Sequence, residues 1–320
     1  MIRELEVKNF KSLKYLKMSC KRVNLLIGKP NAGKSNILES VGIFSFPYGN
    51  LSDFIRFENM INVFYDENLE EKIGIDNDIY HFELKFGSGR FVGNCFGKIP
   101  AKPPLFQFDF DYGGTGSETR SAISLFKFYR FAIMKQFVRQ ESNFLLPPRG
   151  DNLLSILQTN KSLRKVVADI FSEYGLRIVL KPQEHKIEIQ KEIEDVIISY
   201  PYSLVSDTLQ RIVFHLASIE TNKDSIIIFE EPEAHAFPFF TKFIGEKVAL
   251  DKTNQYFIST HNPYFLISVI EKASRDDIGI FVTYFEDYQT KIKPVSTEKF
   301  PEILDLDASV FFNIDQFLEE

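Results

Sequence analysis

Residues 28–35, Gly-Lys-Pro-Asn-Ala-Gly-Lys-Ser, have the spacing GxxxxGK[ST] of a loop that cradles phosphate. In that pattern the backbone N–H groups of Gly28, Lys29, Pro30's neighbours Asn31 and Ala32, and Gly33 curl round the anion, and the following helix adds its N-terminus. Lys34 reaches the terminal phosphates and Ser35 offers a hydroxyl to Mg²⁺. Phosphoryl chemistry then needs acid at the end of a buried strand: one carboxylate for the metal, another to orient water. The run Ser225-Ile-Ile-Ile-Phe-Glu230-Glu231-Pro232-Glu233 supplies both, with Glu230 assigned to the metal and Glu231 to the base. His261 follows a second apolar strand, Phe257-Ile258-Ser259, and is placed to bond a γ-phosphate or position water. The expected catalytic set is Lys34, Glu231 and His261.

Three competing patterns fall short. His235, Glu233 and His261 do not have the spacing of a zinc site, and Cys20 and Cys95 stand alone with no CxxC partner. Asn222-Lys223-Asp224-Ser225 nearly reads as the guanine-recognition motif NKxD, but it ends in Ser and precedes the acidic strand. Ser206, ahead of the periodic run Leu209, Ile212, Val213 and Leu216, is a sensible helix N-cap; the same exposed helix start could bind a phosphate from another subunit. From the residues alone, capping is the plainer role.

The elements that hold these groups follow from periodicity. Residues 2–8 and 13–18 alternate as strands and suggest an antiparallel opening; 23–27 is a buried strand leading into the loop and a helix from Ser35. Strand-like pieces at 72–75, 80–86 and 105–110 follow, with 111–119 as a candidate flexible insertion. Residues 124–139 alternate aromatics with Lys127, Arg130, Lys135 and Arg139, and an amphipathic helix is preferred there over a nucleic-acid face. Helices are expected at 151–157, 163–171, after Ser206, at 238–250 and at 263–270. A hairpin is expected over 177–190 and strands at 225–229, 255–259 and 278–285. No heptad repeat is sustained.

Thirty-three Phe and no Trp in 320 residues imply an aromatic core. The first 35 residues hold nine basic side chains against Glu4 and Glu6, while the whole chain is −6, so coating of nucleic acid by charge alone is not expected. The opening MIRELEVKNFKSLK lacks a signal core, and no apolar run approaches 18 residues, so a soluble, cytoplasmic protein with no membrane partner is expected.

Taken together, NFKSLK, GKPNAGKSN, SDTLQR, IIIFEEPEAH and ISTHNPYFL resemble the small ABC-type ATPases commonly labelled AAA-family ATP-binding proteins. These are relatives of chromosome-maintenance and recombination-repair ATPase heads and of the ATPase half of overcoming-lysogenization-defect nucleases. The likeness covers 1–45 and 200–270, is weaker around 146–153, and is absent from 46–142. It implies one α/β P-loop NTPase domain over 1–320 with two lobes, 46–142 being family-variable. One lobe would be antiparallel β, the other a mostly parallel sheet flanked by helices. It further implies a head-to-tail homodimer, or a larger homo-oligomer, sandwiching ATP and Mg²⁺. Ser206 would meet the γ-phosphate in trans, Glu231 would be catalytic and His261 the switch histidine. Lys11 and Ser12 would line the nucleotide, and Gln107 is the candidate for the family's Q-loop glutamine. Two departures bear on turnover: Thr208 stands where the signature usually has Gly, and Glu230 replaces the common Asp. Relatives of this size commonly act beside an effector encoded nearby, often in phage defence. The 59 residues after His261 are too few for a nuclease half. The alternatives are a nucleotide-controlled protein-binding module with little hydrolysis, and a DNA-associated repair ATPase.

Overall fold

The computed structural model describes residues 1–98, 104–121, 123–140 and 142–318; residues 99–103, 122 and 141 fall outside that description. In chain order the strands and helices are β1 (Glu4–Phe10), β2 (Leu13–Ser19), β3 (Val23–Ile27), α1 (Lys34–Gly42), α2 (Leu51–Phe54), β4 (Ile73–Asn77), β5 (Tyr80–Gly87), β6 (Arg90–Gly97), β7 (Phe106–Phe110), β8 (Gly116–Arg120) and β9 (Phe126–Tyr129). There follow α3 (Leu153–Thr159), α4 (Lys161–Ser172), β10 (Arg177–Lys181), β11 (Lys186–Ile193), β12 (Val196–Pro201), α5 (Asp207–Thr221), β13 (Ile226–Glu230), α6 (Pro238–Leu250), β14 (Gln255–Ser259), α7 (Pro263–Lys272), β15 (Ile278–Glu286), β16 (Gln289–Pro294) and α8 (Phe300–Leu306).

Two large sheets divide these strands. The core sheet has the order β16-β15-β3-β14-β13-β9, parallel throughout except for β16. The other is antiparallel, β2-β1-β4-β5-β6-β7-β8, and a small third sheet holds β10-β11-β12. Because β3 is buried on both faces, it is apolar at nearly every position instead of alternating. Val23, Leu25 and Ile27 point to the face covered by α3–α7, and Leu26 points to the face shared with α1 and the antiparallel sheet. The expected fold class, an α/β head with an antiparallel lobe and a mostly parallel sheet flanked by helices, is the one observed. Among the described residues, no helix is long and apolar enough to cross a membrane.

The phenylalanines fill the space between the sheets. Phe44, Phe46, Phe82, Phe106, Phe126 and Phe128 are buried together there, and the Phe46 ring meets Phe106 edge-on with centroids 5.1 Å apart.

Two expectations are corrected. Residues 124–139 form no helix: 126–129 are strand β9, at the edge of the core sheet and parallel to β13, and the chain then runs irregularly. Lys127 disguised this, since all four residues of β9 are buried. Its ammonium bonds Ser225 Oγ at 3.0 Å and Asn222 and lies 3.5 Å from the centre of the Phe144 ring. Burial pulls its pKa down to about 8. Nor is 111–119 a loose insertion. Asp111 Oδ1 accepts from the N–H groups of Gly113 and Thr115, closing the β7–β8 hairpin.

Replacing Phe46 by Ala removes a ring that touches three others in a fully buried layer. The expected loss is about 3–5 kcal/mol by urea unfolding; a loss below about 1 kcal/mol would show that the layer can collapse onto the gap.

Candidate functional site

Strand register collects the chemistry at one edge. Leu26 of β3 and Glu230 of β13 both pair with Ser259 of β14, so Gly28, Glu231 and His261 leave the core sheet side by side. The loop after β3 needs unusual backbone. Gly33 has φ +93°, and a Cβ there would lie 1.9 Å from Thr290 Oγ1, so only glycine fits before α1.

Pro30, Asn31, Ala32, Gly33, Lys34 and Ser35 line a polar-walled cleft of about 360 Å³, together with Asn36, Arg56, Glu231 and His261. Gly28 and Lys29 border an adjoining cleft against 282–286 and 314–318. Lys34 is buried, and its ammonium donates to the carbonyls of Gly28 (2.8 Å) and Lys29 (2.9 Å). Burial lowers its pKa to about 8, against a smaller pull upward from Glu231.

Glu231 sits in left-handed backbone, φ 47°, with its N–H bonded to Ser259 O at 3.0 Å. That turn aims its carboxylate across the cleft, where Oε1 lies 3.2 Å from His261 Nε2. Burial, then the charge of Lys34, hold the imidazole pKa below its usual range while Glu231 opposes them. The ring nitrogen and the carboxylate thus face each other across the cleft.

Glu233 ties this pair to the sheet. Its Oε1 accepts from Thr260 Oγ1 at 2.6 Å and from the backbone N–H of His261 at 3.0 Å; its buried Oε2 has no partner among the described residues. Burial raises its pKa to about 7 despite those donors.

On the other side of Glu230 lies a group of charges that periodicity and motif matching missed. Glu39 of α1 is fully buried and ion-paired with Lys11, with Arg56 Nε at 2.5 Å and with Arg130 Nη2 at 3.3 Å. The two guanidinium groups also stand 3.7 and 3.9 Å from Glu230. Phe229 pairs with Tyr129, which sets Arg130, the residue after β9, beside Glu230. Three cations face two carboxylates, and the surplus positive charge favours an anion in the cleft.

Some expected residues lie elsewhere. Lys11 and Ser12 are outside the cleft wall: Lys11 is held by Glu39, and Ser12 Oγ is bonded to Asn36 and Thr290 at 2.7 Å each. Gln107, the Q-loop candidate, is on β7, bonded to Asn94 at 2.9 Å and away from the cleft; the side chain that reaches Glu230 from a neighbouring strand end is Arg130. Ser206 caps α5, its Oγ accepting from Leu209 N at 3.4 Å, and it does not line its own chain's cleft. Thr208 turns its hydroxyl onto His235 O at 2.8 Å, toward the turn after Glu231.

The oxygen donors fit Mg²⁺ bound together with a nucleotide. Ser35 contributes a hydroxyl to the cleft wall; Glu230, which is not among the lining residues and stands 3.7 Å from Arg56 and 3.9 Å from Arg130, offers a single carboxylate beside it, and no cluster of three or more His, Cys, Asp or Glu capable of a metal cage occurs among the described residues.

Residues 1–86 match the family model of the AAA ATPase domain. Over 94% of this chain and 99% of the other, the structure resembles the SMC head bound to the C-terminal winged-helix domain of ScpA, at 14% identity and a TM-score of 0.53. The fold is that of an SMC-type head. The SMC head domain from Thermotoga maritima is a looser likeness: 15% identity over 92% of this chain and 99% of that one, with a TM-score of 0.42. No curated protein matches the chain significantly. The loop, Glu231 and His261 form one cleft; Arg56 joins its wall only through tertiary contact, and Arg130, Glu39 and Glu233 stand behind the lining residues. The one local hint was Arg130, a charge within the aromatic run 126–131.

Between pH 4.5 and 7 the folded protein holds a proton on Glu233 that the unfolded chain has released, so this group's contribution to stability falls as pH rises through that window. Glu233→Gln cannot titrate. Unfolding midpoints at pH 5 and pH 8 should therefore show the variant gaining on the natural protein by about 1 kcal/mol or more at the higher pH; parallel pH profiles would refute the buried proton.

Proposed function

We propose that the chain binds and hydrolyses ATP as an ABC-type head whose two nucleotide sites are completed by a second copy. The observation that carries this is the convergence of the phosphate loop, Glu231 and His261 on one cleft while Ser206 faces solvent elsewhere. The loop N–H groups and Lys34 hold the β- and γ-phosphates. Bound Mg²⁺, held by Ser35 and the Glu230 side, would neutralise phosphate charge. Glu231 takes the proton of the attacking water, and His261, fixed through Glu233, orients Glu231 and the γ-phosphate. Arg56, on the cleft wall, adds a cation to the phosphates. In the second copy, Ser206 and the first turn of α5 close the site from the opposite side.

A partner protein read by the ATP state is part of the same proposal. It draws on the family resemblance, in which such heads work beside an effector encoded nearby, often in phage defence, and on the partner domain bound to the similar SMC head. Thr208 in the signature favours slow turnover without that partner. The DNA-associated reading draws on the basic N-terminal segment, but Lys8, Lys11, Lys17, Arg22 and Lys29 are all ion-paired within the chain.

Mixing two inactive variants tests the composite site. Lys34→Ala and Ser206→Arg should each lose most MgATP hydrolysis, and an exchanged equimolar mixture should recover about one quarter of the natural sites, because half the pairs are mixed and each has one intact site. No recovery despite verified exchange would leave Ser206 as a cap alone. Natural protein that is inactive until a partner is added would favour the nucleotide-controlled binding module.

ATP binding should also take up a proton near pH 8. Lys34 is there about half deprotonated in the free protein, and a polyphosphate raises its pKa again. Calorimetry at pH 8 in buffers of different ionisation heat should reveal a fractional proton uptake and an affinity that weakens as pH rises further. Identical heats in all buffers would show that Lys34 stays charged throughout.

A further inference from the structure

We propose that the apolar pocket beside Ser206 receives Phe312 from a second copy of this chain. The proposal rests on the head-to-tail reading above and adds to it a specific contact outside the nucleotide.

Each half of the composite site carries one side of the contact. Ser206 is itself a wall of a pocket of about 470 Å³ whose other walls include Tyr174, Tyr200, Leu204 and Phe237. Leu204 is 70% exposed and Phe237 68%, and Phe239 beside them is 64% exposed. So much apolar surface around one concavity marks an interface more readily than a solvent face. On the phosphate-loop half, Phe312 is 90% exposed, yet Val310, Ile314 and Phe317 around it are buried. A bulky ring held out by buried neighbours on both sides is presented by the fold rather than lost in a loose tail. The segment that carries it lies against the nucleotide half-site. The Phe311 ring is 6.4 Å from that of His261, Asp315 bonds Lys29 at 2.6 Å, and Ile314 borders the cleft next to Gly28 and Pro30.

Geometry links the two surfaces. Whatever brings Ser206 of one copy to the phosphates of the other also brings the pocket it walls toward the other copy's phosphate-loop half, which carries the exposed Phe312 between Phe311 and Ile314. Two-fold symmetry repeats the contact, so each pair buries two rings. An aromatic anchor in an apolar pocket is the residue type that dominates association energy, and burying it on that half also keeps water from the phosphates.

Cross-linking tests the contact. Cys20 and Cys95 are buried, so engineered cysteines at exposed positions report cleanly. In a Glu231→Gln background, which holds ATP, Leu204→Cys with Phe312→Cys and a short bismaleimide should give a covalent dimer with MgATP, and little without it or with either cysteine alone. In a companion measurement, Phe312→Ser should weaken ATP-dependent dimerisation at least tenfold by light scattering while ATP binding to the monomer is unchanged. Dimerisation by MgATP with no cross-link and no effect of Phe312→Ser overturns the contact and leaves the head-to-tail reading standing. If the Glu231→Gln protein binds ATP yet stays monomeric, the head-to-tail reading fails and the contact with it.

Discussion

The parallel register of β3, β14 and β13 is the constraint on which the site depends. Leu26, Ser259 and Glu230 lie level across three adjacent strands, so three segments distant in sequence end at one height. A slip of one residue would turn each strand's side chains to the opposite face. It would carry Ile227 and Phe229 away from the helices they pack on and put Ile228 in their place. Because both faces of the sheet are packed, on one side by helices and on the other by phenylalanines, the hydrophobic core enforces the register that the chemistry needs. Core and cleft are thus one design: the aromatic layer between the sheets holds the strand ends that carry Gly28, Glu231 and His261.

Glu39 poses the opposite problem, a fully buried carboxylate one turn into α1. A buried ion is tolerable only with close partners, and Glu39 has Lys11 from the first hairpin, Arg56 from the stretch after α2 and Arg130 from the end of β9. These come from three different parts of the chain. The cluster therefore ties the antiparallel lobe and the core sheet to the helix that follows the phosphate loop. Since the same guanidinium groups stand near Glu230, a change of charge at Glu230 or in the cleft is felt at Glu39 and, through it, by both lobes. The stretch 46–142 is accordingly no mere appendage: it supplies Arg56 to the cleft wall and Arg130 beside the acidic strand.

What was legible in the sequence follows from how local each signal is. The phosphate loop, the paired acids and the strand before His261 are contiguous patterns in which spacing alone specifies the turn, and the same holds for the helix capped by Ser206. Strand β9 was hidden because Lys127 finds a hydroxyl, an amide and an aromatic face inside the protein, so a charged residue stands where alternation predicts solvent. The 111–119 turn looked loose because its order comes from Asp111 bonding backbone donors, which composition does not reveal. Arg56, Arg130 and Glu233 acquire their places only when distant segments meet. Glu233 in particular entered the sequence reading only within the acidic run and a rejected zinc set, whereas the fold buries it against the backbone of His261.

Ser206 shows how one residue can satisfy two roles that compete in a sequence. As a cap its Oγ accepts from Leu209 at 3.4 Å, a long bond that occupies one lone pair and leaves the hydroxyl proton free to donate. The first-turn N–H groups of α5 point the same way, and Thr208 has its hydroxyl turned inward onto His235 O. That inward bond joins the start of α5 to the turn that follows Glu231. An anion seated on Ser206 would therefore act on a helix already connected to the turn that carries Glu231 in its own chain. In a head-to-tail pair, each nucleotide would bear on the acidic strand of both copies: directly on one, and through α5 and Thr208 on the other.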